Sequence, residues 1–228
     1  MIDNLLIRKA TVNDMNFIIE TILEADKSGT SISSTCNILN ILEKEYRTIL
    51  RDILKENVEG QEFSLSGFLV AELNDEPIGA LGSWVEGVGG IPSHLLYSTL
   101  LLHHMKRENI PGIIANFRVT KELSFRREEN SIQFEYGYVR DKFRRKGVYT
   151  RLMIESIKKH YPSGTTISKA QGICFKKNIP SLNSALKLGF HEVETKISSN
   201  EQLMKLFPYN EKILVEMNQK RLAEVTTL

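Results

Sequence analysis

Between positions 140 and 150 the chain concentrates residues that could bind a phosphate. Arg140, Lys142, Arg144, Arg145 and Lys146 place five cations within seven positions, directly ahead of Gly147, Val148, Tyr149 and Thr150. A glycine where a strand hands over to a helix lets successive backbone N–H groups converge on an anion at the positive end of the helix dipole. The surrounding cations would complement a polyphosphate. On charge alone, the same run also reads as a solvated face beside an ordinary helix start.

Other residue types invite chemistry less strongly. Glu135 is the candidate general base, acting directly or through water, because it lies on the same strand and face as Val139, four residues before it. Strict alternation over 132–139 puts Gln133, Glu135, Gly137 and Val139 on one strand face and Phe134, Tyr136 and Tyr138 on the other. Glu135 then lies about 13 Å along the strand from Val139. The competing reading is a carboxylate paired with Lys or Arg on an exposed sheet face. Tyr136 and Tyr138 either line a pocket or pack on a helix. Cys174 has no His beside it by local spacing and reads as a small core hydrophobe. His103 and His104, adjacent on a helix, cannot both face one ion, and His191 reads as a strand-surface residue. With Cys36 and Cys174 the only cysteines, and no CxxC or Cys/His spacing, neither a metal site nor a disulfide is expected.

Periodicity supplies the elements that must position these residues. A short strand over 5–8 precedes Thr11 and Asp14, a capping box opening a helix with Met15, Ile18, Ile19 and Ile22 on one face. After the Ser/Thr/Gly stretch 28–35, a second helix repeats the pattern at Leu42, Tyr46, Ile49, Leu50 and Ile53. Residues 68–73 and 78–85 flank the turn formers Asn74, Asp75, Glu76 and Pro77, predicting a hairpin. Residues 86–131 are too long for a structureless loop and contain a helical stretch around Leu95, Leu96, Leu100, Leu101 and Met105, which predicts a partly helical insertion. The strand over 132–139 and the basic turn lead to a helix carrying Val148, Leu152, Met153 and Ile157, which ends near Tyr161, Pro162, Ser163 and Gly164. A weaker strand over 165–175 follows. The next helix is capped by Asn178, with Pro180 in its first turn and Gly189 at its end. Strands over 190–197 and 212–217 close the chain as antiparallel neighbours.

The segment from Val139 to Tyr149 resembles the acyl-CoA-binding segment of the GCN5-related N-acetyltransferase (GNAT) family, Arg/Gln-x-x-Gly-x-Gly/Ala after a Val on the fourth strand. Arg144 and Gly147 match its first and fourth positions. Downstream, Asn178 and Ser181, then Lys187, Gly189 and Phe190, resemble the family's Asn-x-x-Ser/Ala leading to Lys-x-Gly-Phe. The resemblance covers nearly the whole chain. It implies one α/β domain over 1–228, with a mostly antiparallel twisted sheet of about seven strands flanked by helices and the insertion at about 86–131 between the third and fourth strands. It also implies strands four and five splayed apart near Val139. The amides of Arg145, Lys146, Gly147, Val148, Tyr149 and Thr150 would hold the pyrophosphate of acetyl-CoA, and Asn178 and Ser181 would lie along the pantetheine. Tyr149 stands where the family prefers Gly or Ala, and Ala185 where many members place a Tyr that protonates the departing thiolate.

Composition sets the outer bounds. The chain has 228 residues, 41% hydrophobic and 25% charged, enough to bury a sizeable core. A formal charge of +2 does not advertise a long polyanion, and GxGxxG is missing, so neither a nucleic-acid binder nor a dinucleotide-binding unit is favoured. A cytoplasmic chain without a membrane span is expected. The function expected is acetyl transfer from acetyl-CoA to an amine by direct attack in a ternary complex. The acceptor is a small molecule in preference to a protein, and a homodimer is left open. The alternative is a non-catalytic module that binds CoA or another phosphorylated ligand on the same fold.

Overall fold

The computed structural model describes residues 4–162 and 166–228. In chain order the elements are β1 (Leu6–Lys9), α1 (Met15–Lys27), α2 (Ser34–Leu39), α3 (Glu43–Glu56), β2 (Phe68–Leu73) and β3 (Glu76–Val85). Then come α4 (Ser93–His104), α5 (Ile110–Thr120), β4 (Ser131–Val139), α6 (Val148–His160) and β5 (Lys169–Phe175). The chain closes with α7 (Ile179–Leu188), β6 (His191–Ile197), α8 (Glu201–Leu206), β7 (Glu211–Asn218) and α9 (Gln219–Val225). The strands form one sheet in the order β1-β2-β3-β4-β5-β7-β6, antiparallel at every neighbour except β4–β5. This is the expected mixed, mostly antiparallel sheet, with α4 and α5 as the helical insertion between the third and fourth strands.

Local chemistry explains most element boundaries. The Asp14 carboxylate accepts from the Thr11 amide at 2.8 Å and from the Thr11 hydroxyl at 2.9 Å, closing the predicted capping box. Met15, Ile18, Ile19 and Ile22 are buried, as are Tyr46, Ile49, Leu50 and Ile53. Leu42 departs from its predicted stripe: it precedes α3 and is exposed, because the helix begins one residue later. The hairpin turns on Asn74 and Asp75, whose φ values of 52° and 62° suit the two-residue turn that matches strand twist. α2, α8 and α9, with six, six and seven residues, carry no periodic signal long enough to predict. The expected helix end at Ser163 and Gly164 and the expected strand start at Thr165 lie outside the described residues. α6 ends at His160 and β5 begins at Lys169.

The sheet separates two apolar cores. On one face α1, α3, α4 and α5 cover Phe68, Val70 and Ala80, while on the other α6, α7 and α9 cover Leu81, Ile132, Phe134 and Val139. Between these layers, β4 departs from the predicted alternation. Tyr136 has φ 54°, and the β3–β4 register slips between Ala80 and Gly82, so β4 carries a bulge there. Phe134 and Val139 belong to the α6 core, whereas Tyr136 and Tyr138 pack on the α1 core. Glu135 pairs with Gly82, whose Cβ direction points at Phe68 in the α1 core. Glu135 therefore shares the α1 side with Tyr136 and Tyr138, not the face of Val139, because the extra bulge residue reverses the facing of everything beyond it.

Candidate active site

β4 and β5 pair only from Ser131 with Lys169 to Phe134 with Gly172. Beyond that point β4 continues to Val139 and β5 to Phe175 without bonding each other. The two strands splay as expected, and a cleft of about 1380 Å³ opens between them. Its walls include residues 134–139 of β4 and 173–175 of β5. Glu135, Val139, Arg144, Arg145, Gly147, Val148, Tyr149, Thr150, Asn178 and Ser181 all line it. Lys146, the remaining candidate, does not.

The basic turn forms the mouth on the α6 side. Gly147 is the N-cap of α6 with φ +83°, and a Cβ built there meets nothing within 4 Å. Arg145 is also left-handed, with φ 61°. The first bond of α6 runs from the Arg151 amide to the Gly147 carbonyl at 3.0 Å. The six consecutive amides of residues 145–150 have no acceptor among the described residues. Glu76 takes the charges of Arg140 and, at 3.6 Å, of Lys142, and Arg144 pairs with Asp141 at 2.8 Å. Arg144 Nε also donates to the Val139 carbonyl at 2.9 Å, tying the turn to the end of β4. Arg145 and Lys146 make no ion pair among the described residues, so their charge is free for an anion. This exceeds the solvated-face reading, since five of the six residues, Arg145 among them, line one opening.

Tyr149 turns away from those amides. Its ring lies against Gly137, where a built Cβ would come within 2.3 Å of Cε2. Its hydroxyl faces Ser181, and burial pushes the phenol up to about 12. The side chain thus bridges α6, β4 and α7 along the cleft. Asn178 occupies the N-cap position of α7, but its side chain caps no helix amide and lines the cleft instead.

On the α1 side, Glu135 is not a surface carboxylate. Its Oε2 lies 3.3 Å from Arg127 Nη2, and Arg127 Nη1 lies 3.3 Å from Glu62. Arg127 also donates to Ser93 Oγ at 3.2 Å and stands 4.8 Å from the centre of the Trp84 ring. Glu86 fixes this corner, accepting from Trp84 Nε1 at 3.1 Å and from the Ser93 amide at 2.9 Å. Burial raises the Glu135 carboxyl above the usual carboxylate range, against the opposing pull of Arg127 and with a further push from Glu62. Arg127, Tyr97, Phe117, Thr120 and Ser124 come from the insertion and line the cleft. Sequence reasoning missed Arg127, Glu62, Asp26 and Lys212, all cleft residues, because isolated charges far apart in the chain carry no spacing signal.

The remaining candidates resolve individually. Cys174 lines the cleft half-buried, and burial pushes its thiol up to about 12, so it is not poised as a thiolate. His104 bonds Glu56 at 2.7 Å and meets the His103 ring edge-on, and His191 is exposed. Among the described residues no group of three or more His, Cys, Asp or Glu is placed to hold a metal ion, and no helix is long and apolar enough to cross a membrane.

No family model matches the sequence, and no curated protein is significantly similar to it. Solved structures match its shape. An N-acetyltransferase from Staphylococcus aureus Mu50 superposes with a TM-score of 0.64 at 14% identity, covering 93% of this chain and all of that one (100%). An agmatine N-acetyltransferase in apo form gives 0.56 at 11% identity, covering 95% and 100%. A ribosomal-protein-alanine N-acetyltransferase from Brucella melitensis gives 0.52 at 15% identity, covering 93% and 99%. At these identities the likeness is one of fold.

Proposed function

We propose that this chain, which has the GNAT fold, is an acyl-CoA-dependent N-acyltransferase that transfers acetyl to an amine. The observation that carries this reading is the run of six unpaired amides over residues 145–150 at the mouth of the β4–β5 gap. They meet the needs of a diphosphate: donors without internal acceptors, a helix N-terminus, an open Gly147 face and the free charges of Arg145 and Lys146. Bound acetyl-CoA supplies an acyl thioester, whose carbonyl carbon bonds to the amine nitrogen as the C–S bond breaks, the sulfur leaving with the electron pair and taking one of the two protons that nitrogen sheds. The other proton falls to Glu135. Its raised proton affinity brings it nearer to neutrality, where a base is most effective. Arg127 holds Glu135 in place. Ala185 is buried and offers no acid for the sulfur.

Isothermal titration of acetyl-CoA, paired with free-thiol release over a panel of primary amines, tests the reading. Binding with turnover on at least one amine is expected. Binding without turnover on any amine selects the non-catalytic module instead, and absence of binding rejects both.

A further inference from the structure

The α1 side of the cleft holds a cation that the fold leaves without a carboxylate in contact. Lys212 opens β7 between Phe175 of β5 and Lys196 of β6. Its Nζ lies 4.3 Å from the centre of the Phe207 ring and 4.7 Å from that of Phe175. It is half-buried, lines the cleft, and makes no hydrogen bond or ion pair among the described residues. Other half-buried cations have acceptors in contact: Lys159 donates to the Ser66 and Gly67 carbonyls, and the rest meet carboxylates. Lys169 meets Glu128 and Glu216, Lys27 meets Glu24 and Glu43, and Arg127 meets Glu62 and Glu135. Two phenyl rings return less to an ammonium than withdrawing it from water costs. The position of Lys212 is therefore unexplained by the protein alone.

Three carboxylates stand around the same space. Asp26, on α1, accepts from Ser33 Oγ at 2.5 Å, from the Thr35 amide at 3.2 Å and from Thr35 Oγ1 at 2.9 Å. Glu62 and Glu135 share Arg127. Asp26 and Glu135 both act on Lys212 electrostatically without touching it, and the cation and the candidate base line one cleft.

We propose, resting on the acyltransferase reading above, that the acceptor is an amino-acid-sized amine bearing a single carboxylate, which Lys212 binds while the amine lies beside Glu135. One negative charge is specified because a dianion would face one free cation and three carboxylates. The ligand is small because both anchoring groups line the same cleft. The rings of Phe175 and Phe207 flank the ammonium and restrict its approach to the cleft side.

The test compares matched acceptors in thiol release: α-, β- and γ-amino acids, each against its primary amide and its decarboxylated amine. In the best pair the carboxylate-bearing amine should have a kcat/KM about tenfold or more above its neutral counterpart. Lys212→Met, which keeps the apolar stem, should erase that preference, and Lys212→Arg should retain part of it. A second arm needs no cosubstrate: the N-acetyl amino acid should raise the melting temperature of the wild type more than its amide does, and not that of Lys212→Met. The proposal is overturned if neutral amines are equal or better, if Lys212→Met keeps the preference, or if acetyl-CoA binds and no carboxylate-bearing amine is accepted. Failure of acetyl-CoA to bind rejects the acyltransferase reading, and the melting arm still decides the carboxylate question.

Discussion

Gly137 and Tyr149 form a matched pair. The family pattern prefers a small residue at position 149, and this chain accommodates a phenol there by deleting a side chain opposite it on β4. A Cβ at 137 would lie 2.3 Å from the Tyr149 ring, so Gly137→Ala should destabilise by about 1–3 kcal/mol through overpacking. Adding Tyr149→Ala to that variant should recover most of the loss, read as a coupling in denaturant unfolding; additive effects would show that the two side chains do not compete. Glu135 makes a second residue-scale prediction. If it takes the amine's proton, kcat/KM should rise with pH along a limb whose apparent pKa lies above the usual carboxylate range, because burial raises that carboxyl. Glu135→Gln should remove the limb and lose more activity at neutral than at alkaline pH. An equal loss at every pH would assign Glu135 to positioning. The basic turn was legible because five cations and a glycine fall within positions 140–147. Glu135 was legible as a candidate, but its facing was not, since a left-handed Tyr136 has no sequence signal of the kind Gly or Asn provides. Arg127 and Lys212 became visible only when folding brought their segments to one cleft.

Among the elements, β4 does the most positioning. Its first residues pair with β5, its bulge turns Glu135 and Tyr136 to the same side, and its end leaves the Val139 carbonyl for Arg144. The hairpin, the capping box and the strand-turn-helix unit were readable because each is local. The six-residue helices α2 and α8 were not, because such short segments are stabilised by what they pack against. α6 supports a prediction at this scale. At its C-terminal end His160 Nε2 lies 3.0 Å from Ser83 Oγ, and burial together with neighbouring Lys159 pushes the imidazole from 6.5 down to about 4. Because the folded value is the lower one, the unfolded chain binds the extra proton in that window. Stability should be complete above about pH 6.5 and fall by about 2 kcal/mol as the pH drops to about 4. The slope of stability against pH between these limits should be shallower in His160→Asn; equal slopes would assign the acid sensitivity elsewhere.

For the molecule as a whole, the sheet separates two tasks. Under the proposed function the α6 side would present free amides and cations to a phosphorylated ligand and the α1 side Glu135, Arg127 and Lys212 to an acceptor, with the β4–β5 gap joining them. The 14%-identical match over 93% of the chain shows how little sequence this architecture requires. The most direct measurement is isothermal titration of acetyl-CoA into the wild type, Gly147→Ala and Gly147→Asp. Alanine should cost only the backbone strain of a left-handed residue, about 1 kcal/mol of stability, because the space is open. Aspartate should weaken binding by about 30-fold or more by setting a carboxylate against the phosphates, with melting close to that of the alanine variant. Equal affinity in the wild type and Gly147→Asp would contradict the assignment of this turn as the acyl-CoA site.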